Sequence, residues 1–122
     1  MGMFDDVFFD QAPVKCRCGA EMTDFQTKDF ENMLDCYRVN LHGQLERQSY
    51  SLRDPKPEET RKIGSMTFPL FIRESTGWEL VKETQTVHVY SDCHQCGKYW
   101  FDIHLEYFRG KLVSTKISKR KL

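Results

Sequence analysis

The chain has 122 residues, 39% of them hydrophobic and 30% charged, with 18 Lys/Arg against 18 Asp/Glu. That length makes one domain, whose modest apolar content builds a core that gains from an added staple. Zero net charge excludes a protein devoted to neutralising phosphates over its whole surface. No apolar run approaches the roughly 20 residues of a membrane-spanning helix, so a soluble, cytoplasmic protein with no membrane partner is expected.

Met1-Gly2 opens as a myristoylation signal does, but Asp6 stands where Ser or Thr is needed, and Met3 offers a second start. Phe4, Val7, Phe8 and Phe9 then form an apolar opening, a strand or a turn of helix, which Pro13 ends. Next comes Cys16-Arg17-Cys18-Gly19, and much later Cys93-His94-Gln95-Cys96-Gly97. Each pair has the form of a metal knuckle: two sulfurs on a tight turn, with a following glycine free to take positive φ. Four thiolates are the number a structural zinc takes, so Cys16, Cys18, Cys93 and Cys96 are the expected ligands of one Zn2+. Cys-x-x-Cys is the common spacing, and Cys-x-Cys is tighter. The ligands alone leave iron open as the alternative metal.

A four-thiolate zinc carries a charge of about −2, which Lys15, Arg17 and Lys98 would offset. His94, inside the second knuckle, is expected to point away from the metal. A secreted disulfide framework does not fit an odd count of five cysteines without a signal peptide. The fifth, Cys36, reads as a small buried hydrophobe.

Thr27 to Tyr37 places Phe30, Met33, Leu34 and Tyr37 at i, i+3, i+4 and i+7, the stripe of a short amphipathic helix. Residues 37 to 48 read as a hairpin turning at Gly43. Residues 53–64 hold two prolines and many charges, and read as a flexible loop. Thr67 to Arg73 is β-prone, with Pro69 suggesting an edge or a strand start, and Ser75-Thr76-Gly77 reads as a turn. Thr86 to Ser91 leads into the second knuckle. From Tyr99 to Phe108 inward and outward residues alternate as on a half-buried strand, Arg109-Gly110-Lys111 turns, and Leu112 to Ile117 closes the sheet. Residues 117–122 form a basic tail, read as a solvated, disordered end. The fold class is thus mainly β (α+β): an antiparallel sheet of hairpins with one short helix, stapled between its N- and C-terminal parts.

The knuckles on β hairpins resemble zinc ribbons, although the long interval between them departs from the usual ribbon. That class serves transcription, translation and protein contacts, and fixes no single function. The opening Met-Gly-Met-Phe-Asp, the stretch Phe25-Gln26-Thr27-Lys28-Asp29 and the run Tyr107-Phe108-Arg109-Gly110-Lys111-Leu112 resemble a family of small uncharacterised bacteriophage and bacterial proteins. The resemblance implies a phage or prophage origin and a bacterial cytoplasm.

A hairpin about the second knuckle is expected to set Val89 opposite Phe101 and Val87 opposite Ile103. His88 then faces Asp102 on the polar side, with His104 and Glu106 beyond. Three functions follow. The first is a non-enzymatic module binding a protein through 53–64, Trp78 and Trp100. The second is a nucleic-acid-binding ribbon using Lys111, Lys116, Lys119, Arg120 and Lys121. The third is a small enzyme using His88, Asp102 and His104. No Gly-rich phosphate loop or nucleophile motif supports the third.

Overall fold

The structure is a computed structural model and describes residues 4–30 and 35–122. The chain forms β1 (Asp5–Phe9), β2 (Val14–Lys15), β3 (Glu21–Met22), β4 (Asp24–Thr27), β5 (Cys36–Val39) and β6 (Leu45–Arg53). Then follow β7 (Arg61–Ile63), β8 (Met66–Phe68), β9 (Ile72–Leu80), β10 (Gln85–Asp92), β11 (Tyr99–Phe108) and β12 (Lys111–Lys121). Eight strands make one sheet in the order β12-β11-β10-β4-β1-β5-β6-β9, antiparallel except between β1 and β5. β2–β3 and β7–β8 are separate hairpins.

Side chains alternate across a strand, so one face of this sheet collects the apolar residues. Val7 and Phe9 (β1), Phe25 (β4), Tyr37 and Val39 (β5), Leu45 (β6), Val87 and Val89 (β10), and Phe101, Ile103, Leu105 and Tyr107 (β11) are all buried. A single sheet cannot bury its own face while flat. This one curls until its ends meet: Tyr107 donates its hydroxyl to the Gly43 carbonyl at 3.0 Å, and Leu112 packs on Gly43.

The two halves join at a narrow seam. β10 and β4 share the single backbone pair Tyr90/Gln26. Side chains extend it: Thr27 Oγ1 donates to the His88 carbonyl at 2.7 Å, and the His88 N–H donates to Asp29 Oδ2 at 2.6 Å.

β6 and β9 run on past the core as a ribbon. Between residues 51 and 76 no side chain is buried. The far end carries β7–β8, with Leu52, Ile63, Met66, Leu70 and Phe71 all more than half exposed. Asp35 is held at the ribbon's root by Arg47 (3.1 Å) and Arg73 (2.9 Å), and Arg73 lies over Tyr50.

Several expectations need correction. The helix over 27–37 does not form at its ends: Thr27 closes β4 and Cys36 and Tyr37 open β5, while Met33 and Leu34 lie outside the described residues. Phe30, beyond the end of β4, stacks instead on Tyr37 of β5 at 4.0 Å. Met1 to Met3, which carry the myristoylation and second-start readings, also lie outside the described residues.

Ser75-Thr76-Gly77 is no turn. It lies inside β9, where the register shifts from Ser49/Gly77 to Tyr50/Ser75 and leaves Thr76 as the extra residue of a bulge. The strand expected over 67–73 breaks at Pro69, which lacks an N–H for the ladder. The segment 53–64 is not all loop, since it holds a 3-10 turn (Pro57–Glu59) and β7. The basic tail is not a loose end: Ser118 to Lys121 pair with Asp102 to Tyr99 in β12, an edge strand whose charges discourage further pairing.

Candidate metal centre

Each cysteine pair sits at the tip of a hairpin. Cys16 follows β2, and its N–H donates to the Ala20 carbonyl at 2.9 Å while the Gly19 N–H donates to Cys16 O at 2.9 Å. Cys93 follows β10 in the same way: its N–H donates to Tyr99 O at 2.9 Å, and the Gly97 N–H donates to Cys93 O at 2.8 Å. Gly19 and Gly97 take φ of 98° and 66°. A Cβ would meet nothing within 4 Å at either site, so backbone conformation, not space, calls for glycine there.

The curl of the sheet brings the two tips together. Cys16 Sγ lies 3.7 Å from Cys96 Sγ, and Cys18 Sγ lies 3.5 Å from Cys93 Sγ. All four sulfurs fall within 4.8 Å of one another. A disulfide would need about 2.05 Å. Four sulfurs tetrahedrally bound at about 2.3 Å from an ion stand about 3.8 Å apart. The cluster therefore has the spacing of a shared ion and not of crosslinked sulfur. Cys16 and Cys93 are buried, Cys96 is half-buried and Cys18 is exposed, so the site lies at the rim of the core.

The knuckle backbones prepare these sulfurs for ionisation unequally. The Cys96 N–H, against burial and helped by the Gln95 N–H and the neighbouring thiols, brings Cys93 down to about 6. At Cys16 the Cys18 N–H pulls the same way, but burial and the Cys18, Cys93 and Cys96 thiols push it up to about 12. One thiolate is welcome in the cluster and a second is opposed. A cation reverses that opposition and releases protons as it binds.

The structure thus brings all four expected cysteines to one place where a metal ion could bind. His94 stands apart, exposed, with Nε2 3.3 Å from Ser91 Oγ and Nδ1 3.7 Å from Asp92. Cys36 is half-buried rather than buried and lies outside the cluster.

On the opposite face of β10–β11 the register differs from expectation by two residues. Val89 faces Ile103, Val87 faces Leu105, and His88 faces His104. A shift of two leaves every side chain on its expected face. His88 and Asp102 still meet, now diagonally, with Nε2 to Oδ1 at 2.8 Å. The His88 and His104 rings stack at 4.5 Å. Asp102 is held below its usual range: burial opposes this, but hydrogen bonds from His88 and Trp100 outweigh it. These groups stand on an open sheet face, His88 and Asp102 half-buried and His104 exposed.

Asp35 between Arg47 and Arg73 carries no local signal, because Asp35, just ahead of β5, meets Arg47 of β6 and Arg73 of β9 only after pairing. Among the described residues no helix is long and apolar enough to cross a membrane. No protein-family model matches the chain, and no curated protein or solved structure matches it. The zinc-ribbon and bacteriophage resemblances therefore rest on the motifs alone.

Proposed function

We propose that this chain is a non-enzymatic, zinc-stapled β module that acts by binding a protein partner. Where the phage resemblance holds, that partner is a host protein in the bacterial cytoplasm. The observation that carries the metal is the spacing of the four sulfurs, from 3.5 Å to no more than 4.8 Å. Four thiolates leave zinc no open position, so the ion is structural and holds the two hairpin tips together. Nothing in the sequence points to an electron-transfer partner, which favours zinc over iron.

The ribbon supports the binding role. Leu52, Ile63, Met66, Leu70 and Phe71 expose large apolar side chains on a segment that buries nothing of its own. Exposed apolar clusters of this kind mark contact surfaces. The segment 53–64 belongs to this ribbon, and Trp78, half-buried on β9 with Arg38 over its ring at 4.5 Å, lies nearer the root.

The test is a Leu70→Ser/Phe71→Ser variant compared with the parent as bait in a lysate of the natural host. The variant should keep its zinc and its melting temperature and lose a partner that the parent captures at stoichiometric levels. The same partner retained at the same level by the variant would refute the ribbon as the contact.

A further inference from the structure

The outer face of β10–β11–β12, on the other edge of the sheet from the ribbon, carries a different chemistry. Residues that alternate with the core point outward here: His88 and Tyr90 on β10, Trp100 and His104 on β11, Lys116 and Arg120 on β12. Four of them form a continuous ladder of rings. His104 stacks on His88 at 4.5 Å and 7°, His88 meets Tyr90 at 5.6 Å, and Tyr90 lies parallel to Trp100 at 5.6 Å and 16°. Arg120 ends the row, 5.5 Å from the Trp100 ring. Two near-parallel, offset pairs, His88–His104 and Tyr90–Trp100, are joined by the tilted His88–Tyr90 contact at 45°. Tyr90 and Trp100 are half-buried, so each is anchored and still presents surface to solvent.

Cations gather on the edge strand of this face, whose own acids include Asp92 opposite Trp100. The chain is neutral as a whole. Its last residues, from Arg109 onward, carry six Lys/Arg and no acid. The pairing puts five of them, Lys111, Lys116, Lys119, Arg120 and Lys121, on β12 alone. The nearby acids on β11 are engaged: Asp102 with His88, and Glu106 with Lys116 at 3.8 Å. Lys116 and Arg120 stand on the ring face, opposite His104 and Trp100, while Lys119 and Lys121, opposite Phe101 and Tyr99, stand on the other face of the same edge strand.

We infer that this face binds single-stranded nucleic acid, with bases stacked on Tyr90 and Trp100 and phosphates held by the cations of β12. Planar rings interleaved with cations on an open sheet suit unpaired bases, whose π-faces are free. A duplex hides its bases and offers only the phosphates. A protein partner suits the aliphatic ribbon instead, so the two surfaces are independent and can fail independently.

The test uses the full zinc-loaded chain and fluorescence anisotropy with labelled dT15, rU15 and a duplex of equal length. One or both single strands should bind at low salt, and the tighter one identifies the nucleic acid. Affinity should fall with a log–log salt slope of about −1.5 to −3, from two to four phosphate contacts. Trp100→Ala should weaken binding roughly 5- to 100-fold. Lys116→Gln/Arg120→Gln should flatten the salt slope by about 1 to 2. Zinc content and melting temperature confirm that each variant is folded, and Tyr90→Ala replaces Trp100→Ala if the latter fails that check. No binding of either single strand, equal affinity for the duplex, or binding indifferent to the aromatic substitution would overturn the inference. So would displacement of the oligonucleotide by polyglutamate at equal concentration, which would make the face a site for acidic protein.

Discussion

Replacing Cys93 with serine removes one quarter of the clasp at its most buried point, where the residue is 1% exposed. Cys18 and Cys93 are 75 positions apart. A crosslink closing a loop of that size restricts the unfolded chain by about 4.5 kcal/mol in the chain-entropy treatment. The fold has little to put in its place, because β10 and β4 share one backbone pair and two side-chain bonds across the seam. Against a typical total stability of 5–15 kcal/mol, the loss is severe. The zinc-loaded parent should therefore exceed Cys93→Ser by about 4–5 kcal/mol in a urea titration, or roughly 15–20 °C in melting temperature. Chelating the metal from the parent should bring it to the variant's level, and the variant should no longer respond to chelator. Cys36→Ser, outside the cluster, should cost less than about 1 kcal/mol. A Cys93→Ser protein within about 0.5 kcal/mol of the parent would refute the clasp.

Two further substitutions probe the scaffold. At Gly110 (φ 83°) a Cβ would stand 2.9 Å from both Lys82 Cα and Val81 O, whereas at Gly97 (φ 66°) it would meet nothing. Gly110→Ala should thus lose about 3 kcal/mol or more and Gly97→Ala only the 1–2 kcal/mol of left-handed backbone, read from paired urea titrations. Glu46 accepts hydrogen bonds from Asn40 Nδ2 at 2.7 Å and from Arg38 at 2.6 Å, which hold its carboxyl below the usual range. Its contribution is present above the unfolded-state value near 4.3 and is lost as pH falls through the lower folded value. Glu46→Gln should cost about 1 kcal/mol at pH 7, and the gap to the parent should close as pH drops below about 4. A gap that stays constant with pH would contradict the assignment.

How much of this was legible in the sequence depended on how local the signal was. The knuckles announced themselves through Cys-Gly spacing, and the β10–β11 hairpin through strict alternation from Tyr99 to Phe108. The Gly43 and Arg109-Gly110 turns were equally local. Longer-range facts were not. Phe30 and Tyr37 carry a helical spacing that serves a bend and a strand just as well, and only the pairing of β4 and β5 with β1 decides between them. Thr76 reads as a turn residue because bulges and turns favour the same small residues, and its partner strand is 26 residues away at Tyr50. The tail looked loose because charge on an edge strand and charge on a free end are indistinguishable without the neighbouring strand. The ring ladder was half legible: alternation placed His88, Trp100 and His104 outward, but the register that stacks them came from pairing.

The proposed clasp is one zinc joined to Cys16, Cys18, Cys93 and Cys96. Elemental analysis of protein purified without added metal and dialysed exhaustively tests it most directly. One tightly held zinc per chain, replaceable by cobalt to give the absorption of a tetrahedral thiolate site and lost in Cys93→Ser, is the predicted result. Protein as stable without metal as with it, or metal retained in full after Cys93→Ser, would contradict it.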